Sequence, residues 1–184
     1  MTIASQFLPS AVVLVTGISG SGKTTLSRAL VGRLMECGIK GVVLLDGEEL
    51  RTRLPRRYGH SPDEREAVWR EIVSEARREL EAGKVVIVAT IAPRASMRAV
   101  ARDLLQPFYE VHLDCPVEVC AARDVKGHYR RAFASEYDCF IGVTHPYEEP
   151  ESADLRIDTA TLSQELAETL LAQRVIAFLG GIRP

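Results

Sequence analysis

The sequence predicts an α/β protein built on a doubly wound parallel sheet. Three observations carry that prediction. Short apolar runs rich in β-branched residues recur along the chain, as AVVLVT, GVVLL and VVIVA. Stretches with helical spacing of apolar residues separate them. The runs are continuously apolar, as strands covered on both faces must be. The chain has 184 residues, 46% hydrophobic and 26% charged, enough for a substantial core. We expect residues 1–184 to form a single domain.

The elements follow in order. Ala11–Thr16 is the first expected strand. Leu26, Leu30, Leu34 and Cys37 then fall on one helix face, and Gly38 is a natural stop. Gly41–Leu45 is a second strand. Ser61, with Pro62 at the first helical position and Glu64 two residues further on, makes a capping box. The helix it opens runs through Val68, Ile72, Ala76 and Leu80 to Gly83. Trp69 falls one position off that face, as a residue packing a helix or a dimer interface would. Val85–Ala89 is the next strand, Arg94–Leu105 a helix, Tyr109–Leu113 a strand and Pro116–Arg123 helical. Arg94, Arg98 and Arg102 form a basic stripe, the last two on a solvated face. Residues 124–150 break the rhythm. They carry Lys126, His128, Arg130, Arg131 and His145 and end in HPYEEP. This stretch is expected to be a mobile helix-and-loop excursion, not core. Leu155–Ile157 is a last strand. Leu162, Leu166, Leu170, Ile176 and Leu179 mark a final helix closed by Gly180–Gly181.

Composition narrows the function classes. A net charge of −2 argues against a general nucleic-acid trap, so any anion site must be local. The apolar run at 11–15 is too short for a bilayer, and the opening MTIASQFLPS lacks a basic leader, so a cytoplasmic location without membrane contact is expected. The four cysteines, at 37, 115, 120 and 139, include no CxxC pair. Reduced thiols are therefore expected, with neither zinc nor a disulfide framework.

The chemistry lies in Gly17-Ile-Ser-Gly-Ser-Gly22-Lys23-Thr24, a complete GxxxxGK[ST] motif between a strand and a helix. Its glycines let the backbone curl so that amides converge at a helix N-terminus and hold phosphate. Gly17, Ser19, Gly20, Ser21, Gly22, Lys23, Thr24 and Thr25 are the expected ATP contacts. Lys23 would reach the terminal phosphates, and the Thr24 hydroxyl suits Mg²⁺. Neither DxxG followed by NKxD, as in GTPases, nor an apolar strand ending in Asp-Glu, as in larger ATPases, is present. A short chain with a basic segment after residue 123 fits a phosphotransferase, whose lid brings cations to the moving phosphoryl group and excludes water.

Beyond this motif the chain resembles the adenylylsulfate kinase family, which phosphorylates the 3′-hydroxyl of adenosine 5′-phosphosulfate. The resemblance covers about residues 11–158. It rests on GISGSGKTT (17–25), LLDGEELR (44–51), GHSPDER (59–65), VVIVATIAP (85–93), YEVHLDCPVEVCAARDVKGHYRRA (109–132) and FIGVTHPYEEP (140–150). It implies a P-loop nucleoside triphosphate hydrolase fold with a lid over about 124–150, and ATP with Mg²⁺ as cofactors. Its acceptor-side residues correspond to Asp46, Glu48, Arg51, His60, Arg65, Ile91 and Phe140. Glu48, with Lys23, would be catalytic, taking the hydroxyl proton or helping to hold Mg²⁺. Arg51 and Arg65 would hold the acceptor's anionic groups. Phe140 would close over the acceptor base. Arg123 and Lys126 would meet the donor base and phosphates. The chain departs from the family on the acceptor side. His60 replaces a stacking phenylalanine, Val68 an asparagine, Ala92 a serine, and Arg94-Ala95 a Tyr-Arg pair. The acceptor is therefore adenylylsulfate or a related activated nucleotide, such as a CDP-linked phosphoramidate. A non-catalytic nucleotide sensor is the reading from another class. A homodimer is a further possibility.

Overall fold

The structure, a computed structural model, describes residues 10–124 and 126–182. Most of the opening stretch weighed for a leader, residues 1–9, lies outside them, as does Val125 of the expected lid. Five parallel strands form one sheet in the order β2-β3-β1-β4-β5. They are β1 (Ala11–Thr16), β2 (Val42–Asp46), β3 (Val85–Ala89), β4 (Phe108–Asp114) and β5 (Leu155–Asp158). β1 is central, pairing Val13 with Ile87 of β3 and with Tyr109 of β4.

Side chains alternate across a strand, so β1 feeds two cores. Ala11, Val13 and Val15 face α1 (Lys23–Glu36) and α7 (Gln164–Gly181), meeting Leu30, Leu34, Leu171 and Val175. Val12 and Leu14 face α3 (Pro62–Glu81) and α4 (Ala95–Leu104), meeting Ile72, Ala76 and Ala101. Each large side chain buried in this way contributes roughly 1.5–3 kcal/mol.

Helix α3 begins as its sequence dictates. Ser61 Oγ accepts from Glu64 N, and the Glu64 carboxylate accepts from Ser61 N and Gly59 N. Three hydrogen bonds to that carboxylate, from Gly59 N, the Ser61 hydroxyl and Ser61 N, hold Glu64 below its ordinary pKa. A short helix, α2 (Gly47–Arg53), was not foreseen. Asp46 caps it, accepting from Glu48 N at 2.9 Å and Glu49 N at 3.4 Å.

Trp69, expected to pack a helix or a dimer interface, is buried in the second core among Val12, Leu14 and Phe108. Three expectations are corrected. Arg98 is 3% exposed, not solvated, because Glu110 of β4 pairs with it inside the protein. The buried face of α7 is Ala167, Leu171, Ala172, Val175 and Leu179; Leu166 and Ile176 are exposed, and the helix runs through Gly180 and Gly181. The segment 124–150 has a core of its own. Tyr129, Ala132, Cys139, Phe140 and Ile141 pack with Ile18, Cys115 and Cys120, so apolar contact anchors it to the Gly-rich loop. Within it lies α6 (His128–Phe133), and α5 (Val117–Arg123) leads into it.

Candidate functional site

Parallel strands release their loops at one edge of the sheet, where ligands of open α/β folds bind. One cavity of about 890 Å³ opens there. Ser19, Gly20, Ser21, Gly22, Lys23, Thr24 and Thr25 line one wall. Asp46, Glu48, Arg51, His60, Arg65, Ile91 and Phe140 line the facing parts, and Arg123 and Lys126 complete the lining. The structure thus gathers the expected residues at a single site. Gly17 lies behind the loop; a β-carbon there would stand 2.7 Å from both Leu113 O and Ser21 Oγ. Arg94 stands apart from the lining and pairs with Glu66 at 3.6 Å.

The Gly-rich loop is built to present amides. The residue capping α1 is Gly22, at φ 99, with no side-chain cap and no acidic residue in the first turn. The first amides of α1 thus meet no competing carboxylate, which suits an anion. Lys23 Nζ donates to Ile18 O at 2.7 Å. Burial lowers the Lys23 pKa to about 8, against the pull of Glu48, Cys120 and Asp46. Thr24 Oγ1 donates to Asp46 Oδ2 at 2.6 Å. This places a hydroxyl and a carboxylate together at the end of β2, so Asp46 sits beside the loop threonine as well as in the facing wall. Two hard oxygen donors suit Mg²⁺, which takes few protein ligands and keeps waters and phosphate oxygens. Among the described residues no group of three or more His, Cys, Asp or Glu side chains gathers at metal-binding range.

Glu48 faces the cavity from the start of α2 and makes an ion pair with Lys126 of the opposite segment; both side chains are more than half exposed. Arg51 donates through Nη1 to Gly59 O. Arg65 donates through Nε to His60 O at 2.9 Å and through Nη2 to Cys139 O at 3.3 Å. Arg65 therefore ties the start of α3 to the segment above it. Desolvation lowers the Arg51 pKa, and the neighbouring Arg65 lowers it further. Desolvation, then Arg65 and Arg51, lowers that of His60. The His60 ring stays exposed, so water screens the size of that effect, but its sign favours a neutral imidazole. Two guanidinium groups crowded beside it mark a place for an anion. Arg123 donates to Gly20 O at 3.4 Å and to Thr159 O, and so lies across the loop.

Sequence reasoning missed several wall residues. Tyr137 stacks on Phe140, with ring centroids 5.8 Å apart and planes 17° apart, so the aromatic cover is double. Tyr129 donates from its hydroxyl to Ser19 O at 2.7 Å and seats the segment on the loop. The aromatic spacing of Tyr137 and Phe140 was a usable signal. His128 also lines the cavity, and its Nδ1 lies 3.0 Å from Tyr137 Oη. His112 is buried and stacks on Tyr147. Cys115 and Cys120 fill space beneath the loop, and the described thiols are all free. No described helix is long and apolar enough to cross a membrane.

Comparisons with known proteins agree with this geometry. The profile of the family described as Adenylylsulphate kinase matches residues 9–158. An adenylyl-sulfate kinase of Pseudomonas aeruginosa is 39% identical over 176 residues, which are 95% of this chain and 87% of that protein. One from Myxococcus xanthus is 43% identical, over 79% of this chain and 80% of its own. The Mycobacterium tuberculosis APS kinase, solved in complex with AMPPNP and APS, superposes with a TM-score of 0.82. It is 35% identical, and the match covers 94% of this chain and 99% of that one. The chain belongs to the adenylylsulfate kinase family of P-loop phosphotransferases.

Proposed function

We propose that the protein transfers the γ-phosphoryl group of Mg·ATP to the 3′-hydroxyl of adenosine 5′-phosphosulfate. The observation that carries this reading is that one cavity has the phosphate loop on one wall, an arginine pair and aromatic cover on the other, and Glu48 between them. The relatives' activity supports the choice of acceptor. It lends nothing to a cytidine-linked acceptor or to a non-catalytic sensor.

The loop amides and Lys23 bind the donor phosphates, and Arg123 and Lys126 hold the donor from above. Thr24 and Asp46 would hold Mg²⁺, which supplies charge neutralisation across the phosphates. Arg51 and Arg65 take the acceptor's anionic groups, while His60 and Phe140 face its base, with Ile91 behind. The acceptor oxygen attacks the γ-phosphorus as the bond to the β,γ-bridging oxygen breaks. ADP leaves, and Glu48 accepts the hydroxyl proton. For this Lys126 must first release Glu48. Residues 124–150 then act as the lid of one kinase domain, working in the cytoplasm, and a homodimer is open to test by light scattering.

An ADP-release assay with Mg·ATP and a panel of nucleotides tests the reading. Saturable turnover of adenylylsulfate with a 3′-phosphorylated product is expected. Turnover of another nucleotide with none of adenylylsulfate would overturn the acceptor. ATP binding without turnover of any acceptor would overturn catalysis.

A further inference from the structure

The turn Ile91-Ala92-Pro93 forms part of the cavity wall, and Ala92 holds φ 40 there. A β-carbon opposes that left-handed conformation, and the following proline restricts Ala92 further. Such a residue persists only where its surroundings over-determine it. Here each carbonyl of the turn has a fixed donor. Thr16 Oγ1 donates to Ile91 O. Arg98 Nη1 donates to Ala92 O at 2.8 Å. Glu148 N donates to Pro93 O at 2.8 Å, and the Glu148 carboxylate accepts from Ala95 N at 2.6 Å.

The donors are held in turn. Arg98 Nε lies 3.0 Å from Glu110 Oε1, an ion contact without hydrogen-bond alignment. The Arg98 guanidinium sits 5.8 Å from the centroid of the Tyr147 ring. The Tyr147 hydroxyl lies 3.0 Å from Thr16 Oγ1. Arg98, Glu110 and Tyr147 stand behind the wall, outside the cavity lining. A buried ion pair is a weak source of net stability, so its presence here calls for another account.

We propose that Arg98, fixed by Glu110 and Tyr147, is a positioning residue that clamps the Ala92 carbonyl and holds the 91–93 turn in the shape the acceptor needs. The HPYEEP segment supplies the rest of the clamp through Tyr147 and Glu148. Thr16 ends β1 and precedes Gly17, so one hydroxyl joins the acceptor wall to the root of the phosphate loop. The clamp thereby sets the spacing between the two walls, on which in-line attack depends. The kinetic part of this inference rests on the acceptor reading above; the structural part does not.

The test is the double variant Arg98→Met/Glu110→Leu, which removes both buried charges together and avoids stranding either. Arg102 keeps its 2.9 Å pair with Asp154. Amide exchange across 92–97 should accelerate about tenfold, with α1 and α3 within about twofold of the parent. Unaccelerated exchange at the turn overturns the clamp, whatever the acceptor. The KM for adenylylsulfate should rise about tenfold while the ATP KM moves less than about twofold. An equal loss on both substrates, or none, in a folded variant also overturns it. Ala92→Gly added to the double variant should recover part of the acceptor affinity, because glycine accepts positive φ. A purely structural role predicts no such rescue. A parent inactive with adenylylsulfate whose variant still loosens at 92–97 refutes the acceptor and upholds the clamp.

Discussion

Lys23 gives a quantitative prediction. Burial brings its pKa to about 8 in the ligand-free protein, whereas phosphates in contact with it require the charged form. Binding ATP must therefore take up a proton wherever the free amine predominates. The dissociation constant should scale as one plus ten to the power of pH minus pKa. That is almost no change at about pH 7 and about a tenfold weakening at about pH 9. Stability of the ligand-free protein should slope the other way. The folded pKa lies below the unfolded one, so the unfolded chain binds more protons between about pH 8 and about 10.5, and stability from this group rises across that window. Calorimetric titration of Mg·ATP at constant ionic strength, above the ionisation of the terminal phosphate, measures the first slope. Denaturant melts measure the second. Lys23→Ala should weaken binding at neutral pH and flatten both profiles. A parent whose ATP affinity is flat from neutral pH to about pH 9, or a slope that survives in Lys23→Ala, would refute the reasoning.

Other outcomes follow from the same geometry. Gly17→Ala should abolish ATP binding in calorimetry, because its β-carbon would lie 2.7 Å from Leu113 O and from Ser21 Oγ at φ 150. Glu48→Gln should lower kcat by about 10²–10⁴-fold while ATP affinity stays within a few-fold, measured by steady-state kinetics and titration. His60→Phe should lower the KM for adenylylsulfate by about threefold through better stacking; an unchanged KM in the same assay would detach this position from the base. Ser61→Ala should cost about 1 kcal/mol by removing the α3 cap, seen as a lower urea midpoint with an unchanged slope.

What the sequence made legible was local. The Gly-rich motif, the strands beside it and the Ser61 capping box depend on neighbours within a few residues, and the structure reproduces them. Helix α2 escaped because seven residues show no apolar period. Its charges, Glu48 and Glu49 at the start and Arg51 and Arg53 at the end, were the available signal. Arg98 was read as solvated because its partner Glu110 lies on another element, and spacing along α4 carries no trace of it. The face of α7 slipped because the helix is apolar on several sides, leaving periodicity little contrast. Residues 124–150 showed their basic side chains in the sequence, whereas Tyr129, Phe140 and Ile141 are what pack the segment against Ile18 and Cys120.

All five strands point the same way, and every group assigned to the reaction hangs from their carboxyl ends or from the helices and lid above them. The bends of the far rim, at Gly38–Gly41, Gly83–Lys84 and Gln106–Pro107, line no part of the cavity. A fluorophore, an affinity handle or a surface tether belongs there, where immobilising the protein leaves its working mouth open to solvent.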